Sequence, residues 1–177
     1  MPERAKGEKM KKFYMMCGIS ASGKSTVARE ISEIENATII SSDDIRQELW
    51  PGERYRSERN AEIFRTLESR LAEMLSAGKN VIIEAIFSDA LKRKLYVEQV
   101  KSKDYQAVCI YCEKNLNNAI HSNSMRDLAK RVSDGVIIDQ YIRFDVPDMS
   151  EGWDEIRIND GNKYSEEFEK ISKGADT

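Results

Sequence analysis

The sequence predicts an α/β domain in which a central parallel sheet is covered by helices on both faces, a three-layer sandwich. Two observations predict it. Short apolar, β-branched stretches alternate with helical patterns along the chain, the order that successive βαβ units produce. The first of these strands also runs directly into Gly18-Ile19-Ser20-Ala21-Ser22-Gly23-Lys24-Ser25, a glycine-rich loop that opens a helix.

The elements follow in order. Phe13 to Cys17 is the first strand, and Thr26-Val27-Ala28-Arg29-Glu30-Ile31 belongs to a helix from Lys24 to Glu35. Thr38 to Ser41 reads as the second strand and Asp44 to Leu49 as a short helix. A longer helical pattern, Ser57 to Ala77, closes at Gly78 before the third strand, Val81 to Ala85. Helix Asp89 to Lys101, strand Tyr105 to Tyr111, helices Leu116 to Lys130 and Gly135 to Phe144, and a weaker strand Glu155 to Ile158 complete the set. In such a sheet ligands bind at the carboxyl ends of the strands, so the ends of the first three should meet in one crevice.

The chain has 177 residues, enough for one well-buried core and short for two. Residues 13–177 therefore read as a single domain, with 1–12 as a flexible basic tail carrying Arg4, Lys6, Lys9, Lys11 and Lys12. At 40% hydrophobic and 33% charged residues the composition is that of a water-soluble domain, and no apolar run approaches the length that crosses a bilayer. A net charge of -3 argues against a broad basic platform for duplex nucleic acid. Three cysteines, Cys17, Cys109 and Cys112, suit a reducing cytoplasm, and the Cys109-x-x-Cys112 pair lies in an apolar strand whose residues three apart face opposite sides. Buried strand cysteines are the expectation there, not a zinc or redox site.

In its strand, loop and helix setting the glycine-rich segment is a P-loop, and the fold expected is that of a P-loop NTPase. Its glycines allow the backbone to turn around an anion, and the helix dipole lies behind the loop. Gly18, Ser20, Ala21, Ser22, Gly23, Lys24, Ser25 and Thr26 are the expected ATP-binding residues. Lys24 should reach the β- and γ-phosphates, and the Ser25 hydroxyl should ligate Mg²⁺. The second strand ends in Ser41-Ser42-Asp43-Asp44-Ile45-Arg46, which puts carboxylates and an arginine beside the P-loop. A carboxylate that orients an acceptor hydroxyl and a cation that holds the acceptor are what phosphoryl transfer requires. The same spacing also fits an N-cap aspartate followed by a solvated arginine.

With the P-loop, Ile40-Ser41-Ser42-Asp43-Asp44-Ile45-Arg46-Gln47 resembles the 5'-polynucleotide kinase domain of phage end-healing enzymes and the related zeta-toxin-like and small-kinase families. The resemblance implies that Asp43 is the general base and Arg46 the clamp on the acceptor's phosphate, with Asp44 capping or supporting the helix. After the third strand, family members carry an Asp, a polar pair and an Arg about nine residues on. Here Glu84, Ile86-Phe87 and Arg93 occupy those places. Glu84 then contacts the acceptor or a metal-bound water, or simply ends its strand. No strand ends in an obvious metal-binding Asp, so Mg²⁺ would rest on Ser25, with Asp43 or Glu84 behind it. Ser122-Asn123-Ser124-Met125-Arg126, with Arg131-Val132 after it, resembles the helical lid of these kinases around 121–134 and makes Arg126 the arginine that stabilises the transferring phosphoryl, with Arg131 as second candidate. Asp148 to Ile158 resembles the closing Glu-Gly-Phe-Asp-x-Ile strand.

The expected function is an ATP-dependent kinase acting on the 5'-hydroxyl end of a nucleic acid, with Mg²⁺ as cofactor and no membrane partner. Two alternatives stand beside it: a kinase for a nucleoside, nucleotide or other small hydroxyl compound, and a nucleotide-binding switch that hydrolyses ATP slowly. Trp50, Tyr55 and Phe87 are candidates for an aromatic acceptor wall.

Overall fold

The computed structural model describes residues 10–160; the first nine residues of the expected basic tail, and the chain after 160, lie outside the described residues. Five strands, β1 (Lys12–Cys17), β2 (Thr38–Ser41), β3 (Val81–Glu84), β4 (Gln106–Cys112) and β5 (Glu155–Asn159), form one sheet in the order β2-β3-β1-β4-β5. Every pairing is parallel. The register sets Met16 beside Glu84 and Ser41 beside Glu84, so the carboxyl ends of β1, β2 and β3 finish side by side.

The central strands are buried on both faces, which is why they read as unbroken apolar runs and not as alternating ones. On one face Val27, Ala28 and Ile31 of α1 (Lys24–Glu35) pack on Tyr14, Met16, Ile82 and Ile110. On the other, α2 (Ser42–Leu49), α3 (Asn60–Ser76) and α4 (Ala90–Lys101) cover Phe13, Met15, Ile40 and Ile83. The α3 stripe Ile63, Leu67, Leu71 and Leu75 recurs every four residues and is fully enclosed. Two further helices, α5 (Leu116–Ser124) and α6 (Asp134–Ile142), meet Ile19 of the P-loop through Ala119 and Ile137. All three cysteines are free and buried. Cys109 and Cys112 join the hydrophobic clusters on opposite faces of the sheet, as their spacing predicts.

Two elements differ from the sequence expectation. The helix after β4 stops at Ser124 and does not continue to Lys130. The reason is Asn123, buried at 1% exposure, whose side chain donates to Val132 O at 2.8 Å and accepts from Val132 N–H at 3.2 Å. That two-way bond folds residues 125–133 back as a loop, and Arg131 donates to the carbonyls of Ser124 and Arg126, satisfying the exposed helix end. The second difference is the cap of α2. Ser41, not Asp44, is the N-cap, its Oγ accepting from Asp44 N–H.

Candidate active site

A cleft of about 1460 Å³ opens over the carboxyl ends of β1, β2 and β3. Ser20 to Thr26 form its floor, with Asp43 and Arg46 of α2, Glu84 of β3 and Arg126 of the lid loop around them. Ser20 to Thr26, Asp43, Arg46, Glu84 and Arg126 therefore line one cavity, whereas Gly18, beneath the loop, and Trp50, Arg93 and Arg131 do not.

Gly18 is needed there on steric grounds. Its φ is +147°, and a Cβ would sit 2.6 Å from the Cys112 carbonyl oxygen and 2.6 Å from Ser22 Oγ. Its N–H donates to Ile86 O at 3.2 Å, tying the P-loop to the segment that follows β3. Gly23, at φ +96°, takes the left-handed turn that starts α1. Lys24 extends under the loop, its Nζ donating to Gly18 O at 2.9 Å and Ile19 O at 2.7 Å. Burial pulls its ammonium below the ordinary lysine value, and the Glu84 carboxylate pulls the other way.

Ser25 Oγ donates to Glu84 Oε1 at 2.5 Å. Of the two acids expected behind Ser25, Asp43 and Glu84, it is Glu84, one strand from the P-loop, that touches its serine. Burial raises the Glu84 carboxyl above the ordinary glutamate value, against the lowering effect of the Ser25 hydroxyl and Lys24. A hydroxyl and a carboxylate held together suit a hard divalent cation that takes its remaining oxygen ligands from phosphates and water. Among the described residues no cluster of three or more His, Cys, Asp or Glu side chains could hold a metal without such help.

Asp43 joins two arginines from different elements. Its Oδ1 accepts from Arg46 Nη2 at 3.3 Å and its Oδ2 from Arg126 Nη2 at 3.2 Å. Arg46 is almost enclosed, its side chain 4% exposed, and its Nη1 donates to Glu53 O and Ala129 O, each at 3.1 Å. It links α2 to the lid loop. Arg131 donates to lid carbonyls and does not line the cleft, whereas Arg126 does.

Arg93 lies elsewhere. Fully buried in the core beneath the cleft, it donates from Nε and Nη2 to Glu151 at 2.8 and 2.6 Å and from Nη1 to Phe87 O at 2.7 Å. Trp153 Nε1 donates to the same glutamate at 3.0 Å. Of the three aromatic candidates, Tyr55 and Phe87 line the cleft; Trp50 packs against the core with the Arg59 guanidinium 4.4 Å above its ring.

Sequence reasoning missed the far wall of the cleft. Phe64 and Glu68 of α3, with Lys92 and Tyr96 of α4, line it, and Tyr96 donates from its hydroxyl to Glu68 at 3.2 Å. These are two pairs at i and i+4, a spacing that marks one helix face but not whether that face meets solvent or a cavity. Gln140 of α6 was also missed; its Oε1 accepts from Ser20 N–H at 2.8 Å, joining the lid helices to the P-loop.

No curated protein sequence matches the chain. Among solved structures, a candidate kinase from Chloroflexus aurantiacus is 14% identical with a TM-score of 0.74, covering 96% of this chain and 98% of that one. The APS kinase CysC of Mycobacterium tuberculosis, solved with AMPPNP and APS, is 18% identical with a TM-score of 0.65, over 96% of this chain and 100% of that one. A chain of the Pnkp1/Rnl/Hen1 RNA repair complex is 19% identical with a TM-score of 0.65; 79% of this chain is covered, but only 46% of that one. At these identities the likeness establishes the fold, that of the small P-loop kinases. A family model described as an AAA domain matches residues 13–147, a span that takes in the P-loop, Asp43, Glu84 and the lid loop alike, and the chain belongs to that family.

Proposed function

We propose that this protein is an ATP-dependent phosphotransferase that moves the γ-phosphoryl group to a hydroxyl acceptor. The observation that carries the reading is the convergence of Lys24, Ser25 and Glu84 with Asp43 and Arg126 in one cleft. Asp43, paired with Arg126 and opening onto a second lobe of the cleft beyond the P-loop, supports transfer to a bound hydroxyl over hydrolysis alone.

In the proposed reaction the P-loop N–H groups and Lys24 hold the ATP phosphates. Ser25 and Glu84 would hold Mg²⁺, which offsets phosphate charge when bound. Asp43 orients the acceptor hydroxyl and takes its proton as the oxygen attacks the γ-phosphorus. A new oxygen–phosphorus bond forms, the bond to the β,γ-bridging oxygen breaks, and ADP leaves with that electron pair. Arg126, already within reach of Asp43, stabilises charge on the transferring group.

Two acceptor classes are consistent with this chemistry. The Asp43-Asp44-Ile45-Arg46 segment supports the 5'-hydroxyl end of a polynucleotide, with Arg46 on its phosphate. A small alcohol is favoured by a separate observation, that Arg46 and Arg93 spend their donors on protein carbonyls and carboxylates. Transfer of labelled γ-phosphate from ATP to an acceptor panel tests the reading. Asp43→Asn should lower transfer about 10²–10⁴-fold with ADP affinity retained. Phosphate release that ignores every hydroxyl acceptor would instead make the protein an ATPase switch.

A further inference from the structure

The lobe of the cleft away from the P-loop has a composition that selects among acceptors. Its walls come from α3, the β3–α4 connection and α4. Phe64 meets Phe87 edge to face at 6.1 Å between ring centroids, and Phe87 meets Tyr96 in the same manner at 5.5 Å. All three rings line the lobe. These three elements contribute two carboxylates, Glu68 and Asp89, and one cation, Lys92, to the lining, while Arg29, Lys114, Arg126 and Lys130 line the cleft from other elements.

A nucleic acid end carries its first phosphate one nucleotide from the reacting hydroxyl, and proteins meet such phosphates with arginine or lysine. Arg46 and Arg93, the arginines beside the acceptor side of the cleft, are otherwise engaged. Arg46 bridges Asp43 and two backbone carbonyls, and Arg93 is sealed in the core on Glu151. Two carboxylates to one lysine make the α3–α4 wall a poor seat for a phosphate, while half-buried Phe64, backed by the buried rings of Phe87 and Tyr96, offers a surface on which a flat apolar ring can rest.

We infer that the acceptor is a small, uncharged alcohol bearing a flat ring, of nucleoside type, with the ring held against Phe64, Phe87 and Tyr96 and its hydroxyl directed toward Asp43. The inference rests on the phosphotransferase reading and narrows its acceptor. Glu68, already accepting from Tyr96, supplies an acceptor for an N–H or O–H group of the ring substituent. Phe64 is a positioning residue for specificity: it touches the acceptor's ring and not the reacting atoms.

The test uses the full chain with labelled ATP and Mg²⁺ and four acceptor sets: the common nucleosides, ring-bearing neutral alcohols, ring-free polyols such as glycerol and sorbitol, and 5'-hydroxyl oligonucleotides of DNA and RNA. Ring-bearing neutral acceptors should be phosphorylated in preference to polyols and oligonucleotides, with an acceptor KM that does not change with salt. Phe64→Ala should raise that KM about tenfold, the order of effect seen when a stacking ring is removed, with little change in kcat. Phe64→Leu keeps the apolar volume while deleting the ring, and serves if the alanine variant fails to bind ADP as a folded protein does. Asp43-dependent labelling of oligonucleotides, with a KM that climbs with salt, would overturn the inference and leave the phosphotransferase standing. Equal use of polyols would also overturn it. ADP release that no acceptor accelerates would remove the phosphotransferase reading itself.

Discussion

Replacing Glu151 with Gln is the most direct test of what Arg93 does. The wild-type guanidinium is fully buried, and two of its three hydrogen bonds go to this carboxylate at 2.8 and 2.6 Å. Glutamine preserves the shape but leaves a buried positive charge without its counter-charge. Breaking a buried pair from one side typically costs about 3–5 kcal/mol, a large part of the roughly 5–15 kcal/mol that holds a domain folded. With a urea dependence of about 2 kcal/mol per molar, the unfolding midpoint should fall by roughly 2 M. Acid titration supplies an independent sign. Burial alone would raise the Glu151 carboxyl, but its bonds to Arg93 and Trp153 hold it below the ordinary glutamate value. A carboxyl lowered on folding stabilises above the unfolded pKa and loses that contribution as pH falls through the folded one. Wild type should therefore lose more stability than Glu151→Gln between about pH 5 and pH 3. Replacing both residues by apolar ones, Arg93→Met with Glu151→Leu, should recover much of the loss. The reasoning fails if Glu151→Gln shifts the midpoint by less than about 0.5 M, or if it abolishes transfer while unfolding as wild type does.

Ser25→Ala removes the hydroxyl that lowers the Glu84 carboxyl, so Glu84 should hold its proton to higher pH. The Mg²⁺ concentration for half-maximal rate should rise, and more so at lower pH; a Mg²⁺ requirement unchanged by the substitution would exclude Ser25 and Glu84 as its holders. Arg126→Ala should lower kcat about 10²–10³-fold with ADP binding intact, as loss of a preorganised charge partner does. Arg131→Ala should act differently, with a smaller loss of kcat and faster amide exchange over residues 125–133, because its bonds hold the lid loop's own carbonyls.

The sheet and the P-loop were legible because their signals are local. Phe13 to Cys17 and Val81 to Ile83 are apolar without a break, the mark of strands buried on both faces, and α1 runs from Lys24 to Glu35 as its pattern predicts. The convergence of Lys24, Ser25, Asp43 and Glu84 followed from topology, since all stand at carboxyl ends of adjacent strands. What was not legible depends on partners distant in sequence. Arg93 is set by a glutamate 58 residues away. The end of α5 is set by Asn123 gripping Val132, a bond that competes with helical continuation and leaves no mark on periodicity. The far wall of the cleft joins α3 to α4, and neither helix alone shows which of its faces meets the cavity.

The segment after β3 departs most from the polynucleotide kinase pattern, and its departures act together. Glu84 reaches Ser25 on the P-loop side. Two residues on, Ile86 O accepts from Gly18 N–H. Phe87 then adopts φ 47°, a left-handed conformation that costs a non-glycine residue on the order of 1–3 kcal/mol. That turn points the ring into the cluster with Phe64 and Tyr96 and presents its carbonyl to Arg93. The buried aromatic contacts and the charge-assisted bond offset the strain, as a polar side chain with neither could not. A pair such as Thr-Asn there would offer hydroxyl and amide groups to an acceptor; Ile86-Phe87 offers the P-loop a carbonyl and the far lobe a ring. The strain is thus retained where the residue contributes an apolar surface to the cleft, and that surface is why the acceptor lobe suits a ring better than a phosphate.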